Sequence, residues 1–340
     1  MKKSITALLV ATFLLAGVFA SCGGEQAVST TQPDSQVTAD ATDADSELDA
    51  YEPVTITNGD RTVTFTEMPQ RVVAFNSYIT ENMLALGLGD KIVATNVMSA
   101  GNSPLPEYAD EYRKIPEIQE KSHELALGYE PDFVAGQVSS FTDKAWGTVD
   151  MFEQKGINCY IISGTLAADE TIDHIYEDID NLGRIFKVED RADALIGEMK
   201  AKVADVTDIT STMDEKVTVF VMDSNNGNEI YTTSSGLESQ LIELAGGTNV
   251  TKGAADSRWF NMSVETLVDL NPDIIVFNEY GETPVEEKIA FINENPALAD
   301  ITAVKDQNYV VIPLQDVMQD VRAADTVSFF FKAFYPDLAS

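Results

Sequence analysis

Residues 122–134 read SHELALGYEPDFV, and residues 263–275 read SVETLVDLNPDII. Each copy has a Ser, a Glu two residues on, a short run with apolar spacing, then Pro-Asp and an apolar stretch. Ser122 and Ser263 suit helix N-caps, because a hydroxyl can accept a bond from an orphan N–H of the first turn. Glu124 and Glu265 then fall at the second helical position, where a carboxylate complements the positive end of the helix dipole. Pro131 and Pro272 disfavour helix in the residue before them, so each helix stops there. FVAG (133–136) and IIVF (274–277) follow as buried strands. A helix-into-strand unit that occurs twice predicts two similar α/β lobes.

The segments around the repeats agree. VTITNGDRTVTFTEMPQ (54–70) alternates apolar and polar residues around Asn58-Gly59-Asp60, which predicts a β-hairpin. Strands are expected at 71–75, 91–95 and 157–162, with helices from Thr80 to Leu86 and around 143–154. From Ala168 to about Ile209 there is no Pro, and Ala192, Leu195, Ile196, Met199 and Val203 keep one face apolar. A helix of ~25 residues from about Val188 would be ~37 Å long, more than one small lobe needs. It reads as a connector. The second half repeats the plan, with strands at 216–222, 274–277 and 309–314 and helices at 236–245, 284–294 and 322–334. The fold class is therefore α/β, two lobes with mostly parallel sheets joined by a single long helix. The expected divisions are a lobe over 51–186, a connector over 187–212 and a lobe over 213–340.

The chain has 340 residues, enough for two ordinary domains, and a net charge of −34. Such acidity argues against nucleic-acid binding and against adhesion to anionic lipid. It suits a soluble, self-repelling extracellular protein, or one whose partner is basic, and a monomer is expected. Lys2 and Lys3 precede an apolar run from Ile5 to Phe19 with the dimensions of a secretory signal. The run ends Phe19-Ala20-Ser21-Cys22-Gly23, which resembles a bacterial lipobox and makes Cys22 the lipid-modified residue after removal of residues 1–21. Residues 23–50 hold seven acids and no Lys or Arg, so residues 22–50 are expected to form a flexible tether between membrane and body. Cys159, in a predicted strand, reads as a packed thiol.

From about residue 53 to 337 the chain resembles the bacterial substrate-binding proteins of iron–siderophore, haem and vitamin B12 ABC importers. The matching pieces are MPQRVVAF (68–75), TENMLALGLGDKIVAT (80–95), Glu124 with Pro131-Asp132, SGLESQLIELAGGTNV (235–250), and Glu265 with Pro272-Asp273. The resemblance implies a ligand cleft between the lobes and a dimeric ABC permease as partner. It also implies that Glu124 and Glu265 dock into Arg-lined permease pockets. Two like-placed carboxylates can meet two identical basic pockets on a symmetric partner.

Ligands of open α/β sheets bind at the C-terminal ends of strands. That rule selects Asn76–Tyr78, Asn96–Asn102 and Gln137–Phe141 in the first lobe. In the second lobe it selects Asp223–Asn228, Arg258–Asn261, Asn278–Tyr280 and Gln315–Arg322. Tyr78, Gln137, Arg258, Trp259, Phe260, Tyr280 and Arg322 are the expected ligand contacts. A cation beside two aromatics suits an anionic iron chelate. A ferric siderophore-type chelate is the expected cargo, with haem or cobalamin as alternatives, and no resident cofactor is expected. His123 and His174 are expected to be solvated, with no His/Cys set at metal-ligand spacing. No G-x-S-x-G elbow, P-loop or dinucleotide fingerprint is present, so no enzymatic activity is expected. A secreted carboxylate-pair hydrolase and a ligand sensor without a transport role are the remaining alternatives.

Overall fold

A computed structural model describes residues 51–281 and 283–338. The expected signal peptide, Cys22 and the acidic tether lie outside the described residues. Strands β1 (Val54–Asn58) and β2 (Arg61–Phe65) form the hairpin. In the first lobe, β3 (Val72–Ala74), β4 (Ile92–Asn96), β5 (Glu117–Ile118), β6 (Phe133–Gly136) and β7 (Asn158–Ile161) form a wholly parallel sheet, ordered β5-β4-β3-β6-β7. The second lobe contains β8 (Thr218–Met222), β9 (Ser224–Asn226), β10 (Glu229–Thr233), β11 (Thr248–Asn249), β12 (Trp259–Ser263), β13 (Ile274–Glu279) and β14 (Tyr309–Pro313). Its parallel sheet runs β11-β8-β13-β14, and a separate antiparallel sheet runs β12-β10-β9. The two-lobed, mostly parallel α/β architecture is as expected.

Both repeat copies fold as their residue order requires. The Leu125 N–H donates to Ser122 Oγ at 3.4 Å and the Thr266 N–H to Ser263 Oγ at 3.3 Å, capping the helices His123–Leu127 and Val264–Leu270. Glu130 and Asn271, each just before its proline, take left-handed φ values of 49° and 42° and turn the chain into the strand. The following aspartates then do the same work in each lobe. Asp132 accepts from the Gln70 and Arg71 N–H groups at 2.8 and 2.9 Å, and Asp273 accepts from the Thr218 N–H at 2.8 Å. Each carboxylate therefore fixes the start of a neighbouring strand against its own, using charge-assisted bonds.

The connector is the helix Glu189–Thr210, with Ala192, Met199 and Val206 fully buried along one narrow stripe. The stripe packs against the helices Ile172–Ile185 and Ala323–Phe334. The same apolar cluster includes Val72, Ala135, Val219, Val276 and Phe330, so a single core runs from one lobe through the connector into the other. The connector is thus packed along its length rather than a free spacer.

Three expectations are corrected. The helix expected around 143–154 is only Val149–Glu153. Gly147, at φ +102°, turns the chain immediately before the Thr148 cap, and a Cβ there would come within 2.5 Å of His123 Nδ1. His123 is accordingly packed rather than solvated, with Nδ1 3.0 Å from Trp146 O and its ring against Phe152. His174 is also engaged, its Nδ1 closing a capping box with Thr171 at 3.1 Å from the backbone N and 2.9 Å from Oγ1. Cys159 is the packed thiol expected, its pKa pushed up to about 12 by burial.

The lobes also meet through a buried ion cluster. Glu81, on the helix Ser77–Ala85, is fully buried and takes a bidentate pair from Arg322, at 2.7 Å from Nε and 2.6 Å from Nη2. Arg322 donates further to Asp316 Oδ1 and Ser103 O, both at 2.7 Å. Beside it, the Asn82 side chain bonds Gln319 O at 3.1 Å and the Val321 N–H at 3.0 Å. Removing one partner of a buried pair strands the other charge. Arg322→Met should therefore lower unfolding free energy by about 3–5 kcal/mol in denaturant titrations. Glu81→Gln should cost less, since Asp316 and Asp320 remain near the guanidinium. Equal losses would show that the cluster is not organised around Arg322.

Candidate ligand-binding cleft

The C-terminal ends of β3 and β6 lie side by side, and Gly136 is what allows it. A Cβ at 136 would sit 3.0 Å from Asn76 Oδ1. That oxygen accepts from the Gln137 N–H at 3.0 Å and Ser140 Oγ at 3.3 Å, which sets the loop after β6. Tyr78, in the first turn of the following helix, donates its hydroxyl to Gln137 Oε1 at 2.6 Å. Burial, then Glu170 and Asp320 nearby, hold the phenol well above its ordinary pKa, so it remains a neutral donor.

Two cavities lie where these loops face the second lobe. One, of about 110 Å³, is bounded by Asn76, Tyr78, Asn96, Gln315 and Met318, with Ser77 Oγ 3.2 Å from Gln315 Oε1 across it. The other, of about 210 Å³, has Gln137, Thr165 and Glu170 on one side and Glu238, Trp259 and Gln319 on the other. Met318 borders both. A larger hollow of about 810 Å³ is lined only by first-lobe residues, from Met98 to Gln119, and lacks walls from both lobes.

Arg258 lines the cavity of about 210 Å³, as expected, and reaches across the junction to the first lobe. Its Nη2 donates to Gly164 O at 3.0 Å and to Ala167 O, and Nη1 lies 3.4 Å from Glu170 Oε2. Glu170 also accepts from Gln319 Nε2. Trp259 lines the larger cavity and stacks on Tyr231, with ring centroids 5.7 Å apart.

Three expected contacts stand elsewhere. Arg258–Asn261 was expected as a loop, but Trp259 begins β12, and successive residues of a strand point to opposite faces. Phe260 consequently packs into the second-lobe core. Arg322 borders neither cavity; it is buried in the ion cluster, with its carboxylate partners holding its charge firmly in place. Tyr280 donates to Asp223 Oδ1 at 2.6 Å, lies under Lys288 Nζ at 4.5 Å, and borders neither cavity. Next to it the Gly281 N–H bonds Ala100 O at 2.9 Å, closing the first-lobe loop onto the second lobe.

Sequence reasoning missed Glu170 and Glu238, whereas Gln319 lies within the expected cleft stretch Gln315–Arg322. Glu238 had a usable signal: it shares a helical face with Leu241, Ile242 and Ala245, all buried. Its Oε2 accepts from Asn278 Nδ2 at 3.1 Å while Oε1 has no partner. Burial first, then Asp223, raises its pKa from 4.5 to about 8. Asp178, in the first-lobe interior, is likewise raised from 3.8 to about 7 by burial. Among the described residues no three His, Cys, Asp or Glu side chains converge as metal ligands.

Glu124 and Glu265 are exposed at the second positions of their capped helices. Bonds from their own backbone N–H groups, then from Ser122 and Ser263, hold both carboxyls below the usual range.

A carboxyl whose folded pKa is raised favours the folded state while protonated, so that stability declines as pH rises through the folded value. For Glu238 the window runs from about pH 4.5 to 8. Calorimetry across it should show the melting temperature of Glu238→Gln falling about 3–6 °C less than that of the parent. Parallel curves would refute the raised pKa.

Comparison with known proteins agrees with this architecture. A periplasmic binding protein from Veillonella parvula has a TM-score of 0.75 at 26% identity, covering 84% of this chain and 98% of that one. An uncharacterized ABC transporter substrate-binding lipoprotein of Bacillus subtilis, YvrC, is 28% identical over 290 residues, 84% of this chain and 86% of that protein. A vitamin B12-binding protein of Yersinia pestis is 27% identical over 211 residues, 61% of this chain and 69% of that one. The family model for periplasmic binding proteins matches residues 72–315. With the two parallel sheets and the cavities between them, this match establishes that the chain belongs to the periplasmic binding protein family.

Proposed function

We propose that this protein is the extracytoplasmic substrate-binding lipoprotein of an ABC importer, capturing a bulky metal chelate of the ferric siderophore class and delivering it to the permease. The observation that carries the reading is a polar, aromatic-edged cavity whose walls come from both lobes. A site built that way is completed by closure and opened by separation, which suits capture and release rather than covalent chemistry. Both cavities are smaller than the several hundred Å³ of an ordinary ligand site. Loading therefore requires the walls to part, and the Gly281–Ala100 contact is one that must yield. The continuous core along the connector keeps that motion small.

Cys22 as a lipid anchor is supported by the basic and apolar residues before it and by the likeness to the Bacillus subtilis lipoprotein. Glu124 and Glu265 suit docking to a two-fold permease because each is exposed and equivalently held. A corrinoid cargo is the second reading, favoured by the likeness to a vitamin B12-binding protein. The hydrolase alternative loses support because Glu170 has its oxygens committed to Arg258 and Gln319.

Fluorescence titration of the purified protein tests capture, since Trp259 borders the cavity. Quenching or a thermal shift is expected with at least one ferric siderophore or corrinoid; indifference to all of them defeats the proposal. Delivery is tested in cells. Glu124→Arg or Glu265→Arg should reduce cargo uptake by about tenfold or more, leaving affinity for the cargo unchanged. Undiminished uptake in both variants would leave the two residues as helix-end charges only.

A further inference from the structure

The cleft's charges are unevenly spent. Each cation near the cavities is already committed: Arg258 to Glu170 and two carbonyls, and Arg322 to Glu81, Asp316 and Ser103 O. Lys288 donates to Asp223 O at 2.6 Å and Asn278 O at 2.5 Å. The acceptors are not all matched in the same way, although Glu170 is. Around the larger cavity, Glu238 Oε1 and Gln319 Oε1 have no partner although their residues are only 3% and 5% exposed. The orientation of Gln319 is chemically fixed, because its amide nitrogen must face the Glu170 carboxylate. Its oxygen is therefore an acceptor with nothing to accept. Behind Glu238, Asn278 Oδ1 is likewise unpartnered. A buried acceptor left open costs stability until a donor fills it.

Resting on the binding-protein reading above, we infer that the larger cavity is a subsite for hydrogen-bond donors. The cargo presents amide or ammonium N–H groups to Glu238 and Gln319 and carries a neutral or positive charge. An anionic chelate would meet oxygens already lacking donors, inside a protein of net charge −34, with Arg258 unable to leave Glu170 without stranding it. Trp259, over Tyr231, supplies an apolar wall beside the donor site. Burial keeps the empty-site Glu238 carboxyl uncharged, with its proton on Oε1 because Oε2 accepts from Asn278. An ammonium group makes Oε1 an acceptor by displacing that proton, whereas neutral amide N–H groups go to Gln319.

Four probes separate the possibilities in one titration series: a monocationic ferric trihydroxamate with a free ammonium group, cyanocobalamin with its amide arms, haemin with two carboxylates, and a trianionic ferric tricatecholate. The ammonium or amide probe should bind at least about tenfold more tightly than either anion. Gln319→Met should weaken that probe by roughly tenfold. Glu238→Gln, which keeps the Asn278 bond but cannot ionise, should weaken the ammonium probe by a similar factor and serves as the second variant if Gln319→Met is poorly folded. Equal or tighter binding of haemin or the tricatecholate overturns the donor subsite while leaving the transport reading standing. Unchanged affinity in both variants overturns it as well. Failure of all four probes defeats the transport reading and this inference together.

Discussion

The relative placement of the two lobes depends on Arg322. Its guanidinium, nearly withdrawn from water, is held by Glu81 in bidentate fashion, and by Asp316 and the Ser103 carbonyl at its other edge. A charge so deeply placed is tolerated only when it is paired and hydrogen-bonded. The partners come from the first-lobe helix, the first-lobe loop after β4, and the second-lobe stretch after β14. None can move far without the others. Asn82, one residue along, pins the same stretch by its backbone. The walls that Gln315, Met318 and Gln319 give to both cavities are therefore set from this cluster.

The connector adds a second constraint of another kind. Its buried stripe belongs to a core shared by both lobes, so bending it would open apolar contacts on both sides at once. Polar clasps at the cleft surface, such as Arg258 on the Gly164 and Ala167 carbonyls, face no such barrier. The hierarchy is a stiff spine, a buried ionic joint, and looser bonds around the opening.

The fold was largely legible because its signals are local. Ser-x-Glu and Pro-Asp dictate a capped helix, a turn and a strand within thirteen residues, and the structure realises both copies with equivalent bonds to Asp132 and Asp273. The antiparallel sheet escaped notice because its Gly227-Asn228 turn lies in a stretch expected as a cleft loop. That hairpin signal was present, and β9 pairs with β10 across it. Losing the sheet misplaced Phe260. Arg322 was misjudged for a different reason: its partner Glu81 is 241 positions away in sequence, and no pattern in one chain reveals such a pairing. Glu238 went unseen, and Gln319 was not singled out within its stretch, because open polar atoms are a property of packing.

Strand β12 carries a consequence beyond its own sheet. It begins at Trp259, in the wall of the larger cavity, and ends at Ser263, the cap of the helix that bears Glu265. Five residues of strand span about 16 Å, and this one is paired throughout its length with β10. The cavity wall and the exposed carboxylate are thus opposite ends of one short, braced rod. The pairing with β10 fixes the spacing between the indole in the cavity wall and the cap of the surface helix.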